Sequence, residues 1–243
     1  QFNLNRTPNF EPRRGPMVPS YVAAAQSPLL YMPIKSGPTE TVLNWLSGLD
    51  RVTTDQLLME FGQQEIRQWK RQNKRHRSFT VVRHPVRRAY DAFCNHIFHT
   101  DAGSYLELRK TLRRVHNLPL PETTPDDSFS VDDMRAAFVS FLKFLKANLN
   151  GQTAVRVDAA WASQVTTLQG FAEIATPDWV GREENIEAER AFLTSQVGVT
   201  HTTVTHARVG YRFDISEIYD DEIEKLTRDA YQRDYLNFGY FPL

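Results

Sequence analysis

Leu29-Leu30-Tyr31-Met32 is a short apolar run, and Lys35-Ser36-Gly37-Pro38-Thr39 follows it almost at once. Val42, Leu43, Trp45 and Leu46 then recur at helical spacing. Pro38 suits a first helical turn, where its missing N–H does no harm. The stretch reads as a buried strand, a Gly-containing loop and a helix N-terminus. The pattern returns downstream. Ser78-Phe79-Thr80-Val81-Val82 is the clearest buried strand of the chain; it ends in Arg83-His84-Pro85. An amphipathic helix follows, with Ala89, Tyr90, Phe93 and Ile97 on one face. Strands alternating with helices predict an α/β fold whose central, mostly parallel sheet is flanked by helices.

Outward from these stretches, residues 1–27 read as an irregular arm, with Pro8, Pro12, Pro16 and Pro19 among polar residues. Residues 28–243 read as one domain. Leu57, Leu58 and Phe61, then Ile66 and Trp69, read as helical patches before a solvated basic stretch, Lys70 to Arg77. Residues 104–116 read as a helix. Ser130 with Asp133 forms a capping box opening an apolar helix that carries Met134, Phe138, Phe141, Leu142 and Leu145. A strand is expected over Thr153–Val157, a helix over Asn185–Val197, a β-like polar segment over Thr200–Phe213 and one last helix over Asp220–Tyr235.

The 243 residues carry 29 Lys+Arg against 29 Asp+Glu, a balance that argues against a general nucleic-acid binder and leaves room for a local basic pocket. The single cysteine, Cys94, rules out an intrachain disulfide and points to a reducing compartment. Beside Ala92, Phe93 and Ile97 it reads as a buried small hydrophobe. No apolar run approaches the roughly 20 residues of a membrane helix, and no signal peptide is visible. A cytoplasmic protein is expected, although the first residue is Gln rather than Met and leaves a lost anchor or leader open. No His/Cys/Asp/Glu set has metal-ligand spacing, and His96 and His99 read as structural or surface residues.

Two strand-to-helix turns are candidate anion sites. At the first, the helix N-terminus offers unpaired N–H groups and partial positive charge. Gly37 permits close approach of the backbone, Lys35 adds a cation, and Ser36, Thr39 and Thr41 add hydroxyls. The loop lacks the spacing of a Walker A loop. At the second, Arg83 stands at a strand end and Arg88 one helical turn on, a pair suited to one phosphate. Arg87 reads as surface decoration.

Taken together, these turns resemble the PAPS-dependent sulfotransferases, in particular their carbohydrate-type branch and its bacterial relatives. PAPS is 3′-phosphoadenosine 5′-phosphosulfate, and the desulfated product is PAP. Pro33-Ile34-Lys35-Ser36-Gly37-Pro38-Thr39 is similar to the family loop that grips the 5′-phosphosulfate. The family motif for the 3′-phosphate is Arg-x-Pro-x-x-Arg-x-x-Ser; Arg83, Pro85 and Arg88 match it, and Asp91 stands at the Ser position. Trp161-Ala162-Ser163-Gln164 resembles the family Trp-x-x-Gln segment. Arg182-Glu183-Glu184-Asn185-Ile186 resembles Arg-x-Glu-Asn-Leu, and Asp234 to Tyr240 resembles the closing Asp-x-x-x-Phe-Gly-Tyr. The likeness runs in order from about residue 28 to the end.

What the resemblance implies is a P-loop-like sulfotransferase fold that moves a sulfuryl group from PAPS to an acceptor hydroxyl, on this branch a carbohydrate. No metal, nucleic acid or membrane segment is implied. Lys35 would meet the leaving phosphate oxygen, helped by Ser36, Gly37, Thr39 and Thr41; Arg83, Arg88 and position 91 would serve the 3′-phosphate. Glu60, a carboxylate among apolar residues, is the first choice for general base, with Glu40 and His84 as rivals. Tyr211, Arg208 and Arg212 are candidates for contact with adenosine or acceptor. A catalytically inactive relative and a nucleotide-dependent phosphotransferase are the alternative readings.

Overall fold

The computed structural model describes residues 21–173, 175–200 and 210–243. Its centre is a five-stranded sheet in the order β3-β1-β2-β4-β5. The strands are β1 (Tyr21–Ala23), β2 (Leu29–Tyr31), β3 (Leu58–Phe61), β4 (Arg77–Val82) and β5 (Trp179–Arg182). β4 pairs in parallel with β2 on one side and β5 on the other. β1 runs antiparallel to both β2 and β3. The sheet is therefore mixed, not mostly parallel. The antiparallel strand is Tyr21–Ala23, within the span read from the sequence as an irregular arm; residues 1–20 lie outside the described residues.

Burial on both faces explains why apolar residues stand at successive positions in β2 and at the end of β4, where Ser78 and Thr80 are buried as well. Leu29, Tyr31, Phe79 and Val81 enter one buried cluster, with Trp45, Leu46 and Leu49 of α1 (Thr39–Asp50) and Leu193 of α7 (Ile186–Val197). Leu30, Met32 and Val82 enter the other. That larger cluster holds Val86, Ala89 and Phe93 of α3 (Pro85–Phe93) and Phe138, Phe141 and Leu142 of α5 (Val131–Leu149). A strand buried on both faces has no polar side to show. Cys94 lies in this second core, where burial pushes its thiol pKa up.

The Ser130–Asp133 capping box opens α5 as expected. Other expectations are corrected. Leu58–Phe61 is the edge strand β3, and helix begins only with α2 (Gln63–Gln72). Residues 153–157 form no strand. Of the β-like segment, residues 201–209 lie outside the described residues, and 210–213 form none. Residues Leu106–Val115 form α4, and after the short α8 (Ile215–Ile218) the expected last helix is two: α9 (Asp221–Ala230), which packs on α5, and α10 (Gln232–Phe238). The break falls at Tyr231, whose hydroxyl donates to the Trp161 carbonyl at 2.8 Å.

One buried carboxylate ties the chain's end to the region of the site. Asp234 is wholly buried and accepts from Ser163 Oγ at 2.6 Å, Gln164 N–H at 2.9 Å and Val165 N–H at 3.1 Å. It thereby caps α6 (Gln164–Phe171) from across the fold. Asp234→Ala leaves three donors without a partner and is expected to cost about 2–4 kcal/mol of stability. Urea unfolding measures it; a loss below about 0.5 kcal/mol, the range of ordinary surface changes, contradicts the capping role.

Candidate functional site

The C-terminal ends of β2, β4 and β5 lie along one edge of the sheet, and the site grows from the loops that leave them. After β2 the chain turns sharply: Gly37 N–H donates to the Ile34 carbonyl at 2.9 Å, and Ser36 takes a left-handed φ of 59°. A Cβ on Gly37 would lie 2.7 Å from the Ile34 oxygen, so the turn itself requires the glycine. α1 follows with Pro38 at its cap and no side chain capping its first turn. The hydroxyl of Ser36 is buried and without a hydrogen-bond partner. Thr39 is half-buried, its hydroxyl 3.5 Å from that of Tyr31; Thr41 is buried, and its carbonyl accepts from Arg190.

The second turn meets the first directly. Arg83 Nη1 donates to the Ser36 carbonyl at 3.3 Å, and Arg88 Nε donates to the Lys35 carbonyl at 3.0 Å. Arg88 is 1% exposed, and its other two nitrogens bond the carbonyls of Ala162 (2.6 Å) and Ala159 (2.9 Å). With a bond at each nitrogen, Arg88 braces the backbone of both neighbouring loops. Gln164 completes the frame, accepting from Arg83 N–H and donating to Arg83 C=O, both at 2.9 Å.

Arg83 is held by acids. Its Nε and Nη2 reach the two oxygens of Glu183 at 2.7 and 2.8 Å, and Nη1 stands 3.3 Å from Asp91. Asp91, the departure noted in the motif, thus points towards Arg83. Its carboxyl is raised by burial, against the pull of Tyr211, Arg83 and Asn95. The Tyr211 hydroxyl donates to Asp91. Arg212 turns away and binds the carbonyls of Pro125, Asp126 and Phe129, while Arg208 lies outside the described residues.

On the other side of the first turn sits a group the sequence reading missed. Lys35 Nζ bonds the Tyr105 hydroxyl and stands 3.6 Å from Asp158. Burial pulls the Lys35 pKa down, but Tyr105 and Asp158 outweigh it and hold the ammonium above its ordinary range. Tyr105 donates to Asp158 at 3.2 Å. His96 stacks on the Tyr105 ring, with centroids 4.4 Å apart and planes 10° from parallel. His96 lies on a π-helical turn, Cys94–Phe98, that extends α3. Such turns recur at functional sites, but nothing in the residue types of 94–98 announces one.

The His96 ring has a defined tautomer. Its Nδ1 is 3.2 Å from the Gly103 carbonyl, which can only accept, so Nδ1 carries the proton and Nε2 the lone pair. Burial, then the charge of Lys35, lowers its pKa from 6.5, while Gly103, Asp158 and Asp91 oppose them. Of the expected bases, His84 is buried: Nδ1 accepts from Val86 N–H at 3.2 Å, and Nε2 bonds the Phe241 carbonyl at 2.8 Å. Both ring nitrogens are thus engaged, and His84 caps α3. Glu40 is exposed in the first turn of α1. The backbone of Glu60 lies at the same sheet edge, near the end of β3 and two strands from β2; its side chain lies outside the described part.

The remaining motifs close around this edge. Arg182 lies over the Tyr240 ring at 4.5 Å, and the rings of Tyr235 and Tyr240 pack edge-on against His84 at 5.5 and 5.1 Å. Among the described residues no group of three or more His, Cys, Asp or Glu side chains could hold a metal ion, and no helix is long and apolar enough to cross a membrane.

Residues 50–241 match the model of a family described as the sulfotransferase family. The match covers the Arg83 turn, His96, Tyr105, Asp158 and Glu183, and begins after the Lys35 loop. No curated protein and no solved structure matches the chain.

The turn geometry makes a paired prediction. Gly37→Ala forces backbone apart and is expected to lose about 1–3 kcal/mol. Gly170→Ala, inside α6 with nothing within 4 Å of the new Cβ, is expected to gain up to about 1 kcal/mol. Thermal unfolding of the two variants side by side checks the sign of each.

Proposed function

Since the chain belongs to the sulfotransferase family, we propose that the Lys35 turn grips the phosphosulfate end of a sulfuryl donor of the PAPS type and transfers the group to a hydroxyl, with His96 as general base. The observation that carries this reading is the assembly of Lys35, Tyr105, Asp158 and the Nε2 lone pair of His96 beside a phosphate-binding type of turn.

Sulfuryl transfer resembles phosphoryl transfer: attack is in line, and charge builds on the leaving oxygen. Positioning and charge stabilisation are what the protein must supply. Lys35 is held protonated by Tyr105 and Asp158, and it brings one positive charge to the leaving phosphate oxygen. The uncapped α1 N-terminus and the unpartnered Ser36 hydroxyl are donors that the turn's own structure does not use. Thr39 stands next in the loop.

His96 is suited to accept the acceptor's proton. Its pKa is lowered, so the ring is neutral at pH 7, and Gly103 fixes the tautomer that leaves Nε2 open. Tyr105 spans the two roles, binding Lys35 through its hydroxyl and His96 through its face. A half-exposed aromatic pair also suits a sugar ring, which supports a carbohydrate as acceptor. Glu60 remains the competing base at the same sheet edge.

The test is sulfation of a panel of saccharides and simple alcohols from a radiolabelled donor. Lys35→Ala is expected to lower turnover at least a hundredfold. His96→Gln is expected to lower kcat by about 10²–10⁴-fold, with Glu60→Gln near wild type. The wild-type rate should rise with pH as His96 loses its proton, with the midpoint below 6.5, then level off. If His96→Gln keeps that acid limb, His96 is not the base; if Glu60→Gln abolishes turnover and His96→Gln does not, Glu60 is. A Lys35→Ala variant as active as wild type overturns the reading as a whole.

A further inference from the structure

We propose that the donor this protein takes is a nucleoside 5′-phosphosulfate with a free 3′-hydroxyl, its ribose held by the carboxylates of Glu183 and Asp91. The inference rests on the sulfuryl-transfer reading and narrows its donor.

Every nitrogen of the Arg83 guanidinium is engaged: Nε and Nη2 by Glu183, and Nη1 by the Ser36 carbonyl and Asp91. Four of its five N–H donors are thus taken, so a phosphate could bind Arg83 bidentately only by displacing a carboxylate from a charge-assisted pair. Arg88 behind it is 1% exposed, and each of its three nitrogens already donates to a carbonyl. Two arginines and two acids sum to zero, so a group carrying nearly two negative charges meets no uncompensated cation here.

The same groups suit a hydroxyl well. Ionised carboxylates are acceptors only, and Glu183 and Asp91 both keep some solvent exposure, 26% and 13% of their side chains. Dinucleotide enzymes make the choice by the same chemistry: an acid at the ribose selects a free hydroxyl, and an arginine accommodates a phosphate there. This site sets its acids in front of its arginine. Arg83 fixes both carboxylates from behind, and Tyr211 and Asn95 hold Asp91 and each other in place.

The transfer balances without a further reactant. The bond from sulfur to the bridging phosphate oxygen breaks, and its electron pair stays on that oxygen, giving a nucleoside 5′-phosphate. A new sulfur–oxygen bond forms to the acceptor hydroxyl, whose proton passes to His96 Nε2. Adenosine 5′-phosphosulfate plus alcohol thus yields adenosine 5′-phosphate plus sulfate ester.

Calorimetry on the full chain at about 0.15 M salt, where long-range charge is screened, compares adenosine 5′-phosphate with adenosine 3′,5′-bisphosphate. The 5′-monophosphate is expected to bind at least tenfold tighter. In the Asp91→Ser/Glu183→Gln double variant the bisphosphate is expected to gain at least tenfold. The wild-type comparison decides the matter if that variant fails to fold. Equal or tighter binding of the bisphosphate to wild type overturns the inference and leaves the sulfuryl-transfer reading standing. Binding of neither nucleotide overturns the inference and the Lys35 grip together. With the two labelled phosphosulfates as donors, product formed faster from the 3′-phosphorylated one would also sink it.

Discussion

A buried guanidinium holds this site together. Arg88 ties two loops to its own helix through the carbonyls of Lys35 in one and of Ala159 and Ala162 in the other. A charge in the interior is tolerated only when its hydrogen bonds are satisfied, and burial already pulls the Arg88 pKa down. The bonds do two jobs. They satisfy the charge, and they set where the Lys35 turn and the Asp158 loop stand. Asp158 and Lys35 face each other because both their neighbourhoods hang from one side chain. Arg83 repeats the device one turn earlier, where Gln164 fixes its peptide and Asp234 fixes Gln164. Motifs far apart in sequence thereby act as one frame around the end of β4.

Much of this was legible in the residues, and the failures have physical causes. The two strand–turn–helix units could be read because a strand buried on both faces carries apolar residues at successive positions, and Pro38 and Pro85 mark the helix starts. Strand β1 could not: three residues, Tyr21–Ala23, give too short a pattern, and their place in the sheet is set by partners on β2 and β3. Leu57, Leu58 and Phe61 fit helical spacing as well as a short edge strand does, and pairing with β1 decided it. Arg88 stands at a motif position that the spacing marks, and its three nitrogens donate to backbone carbonyls. Sequence spacing tells which turn an arginine stands on; it does not tell whether backbone carbonyls or a phosphate will use its donors.

Position 91 was the better signal. A carboxylate where a hydroxyl was expected, close to a strand-end arginine, marks either a side chain turned away or a changed subsite. Asp91 is not turned away, since it stands 3.3 Å from Arg83. Glu183 makes the same point from the far side of the arginine. One stray acid could be local drift; two acids converging on one guanidinium, with a tyrosine and an asparagine ordering one of them, form a built arrangement.

α3 is where the two halves of the site are joined. Its start carries the arginine frame, and the π-helical turn at its end carries His96. In a regular helix each residue advances about 100°, so one extra residue in a turn rotates everything beyond it by that amount. The wider turn lets Ile97 and Phe98 bury in the core while His96 stays near the surface against Tyr105. The Tyr105 N–H bonds the His96 carbonyl at 2.8 Å, which closes the loop between them and fixes the stacking. A plain α-helix through 94–98 would swing either the histidine into the core or the two hydrophobes out of it. The irregular turn is therefore the local cost of holding a neutral imidazole against the face of a tyrosine whose hydroxyl binds a charged lysine.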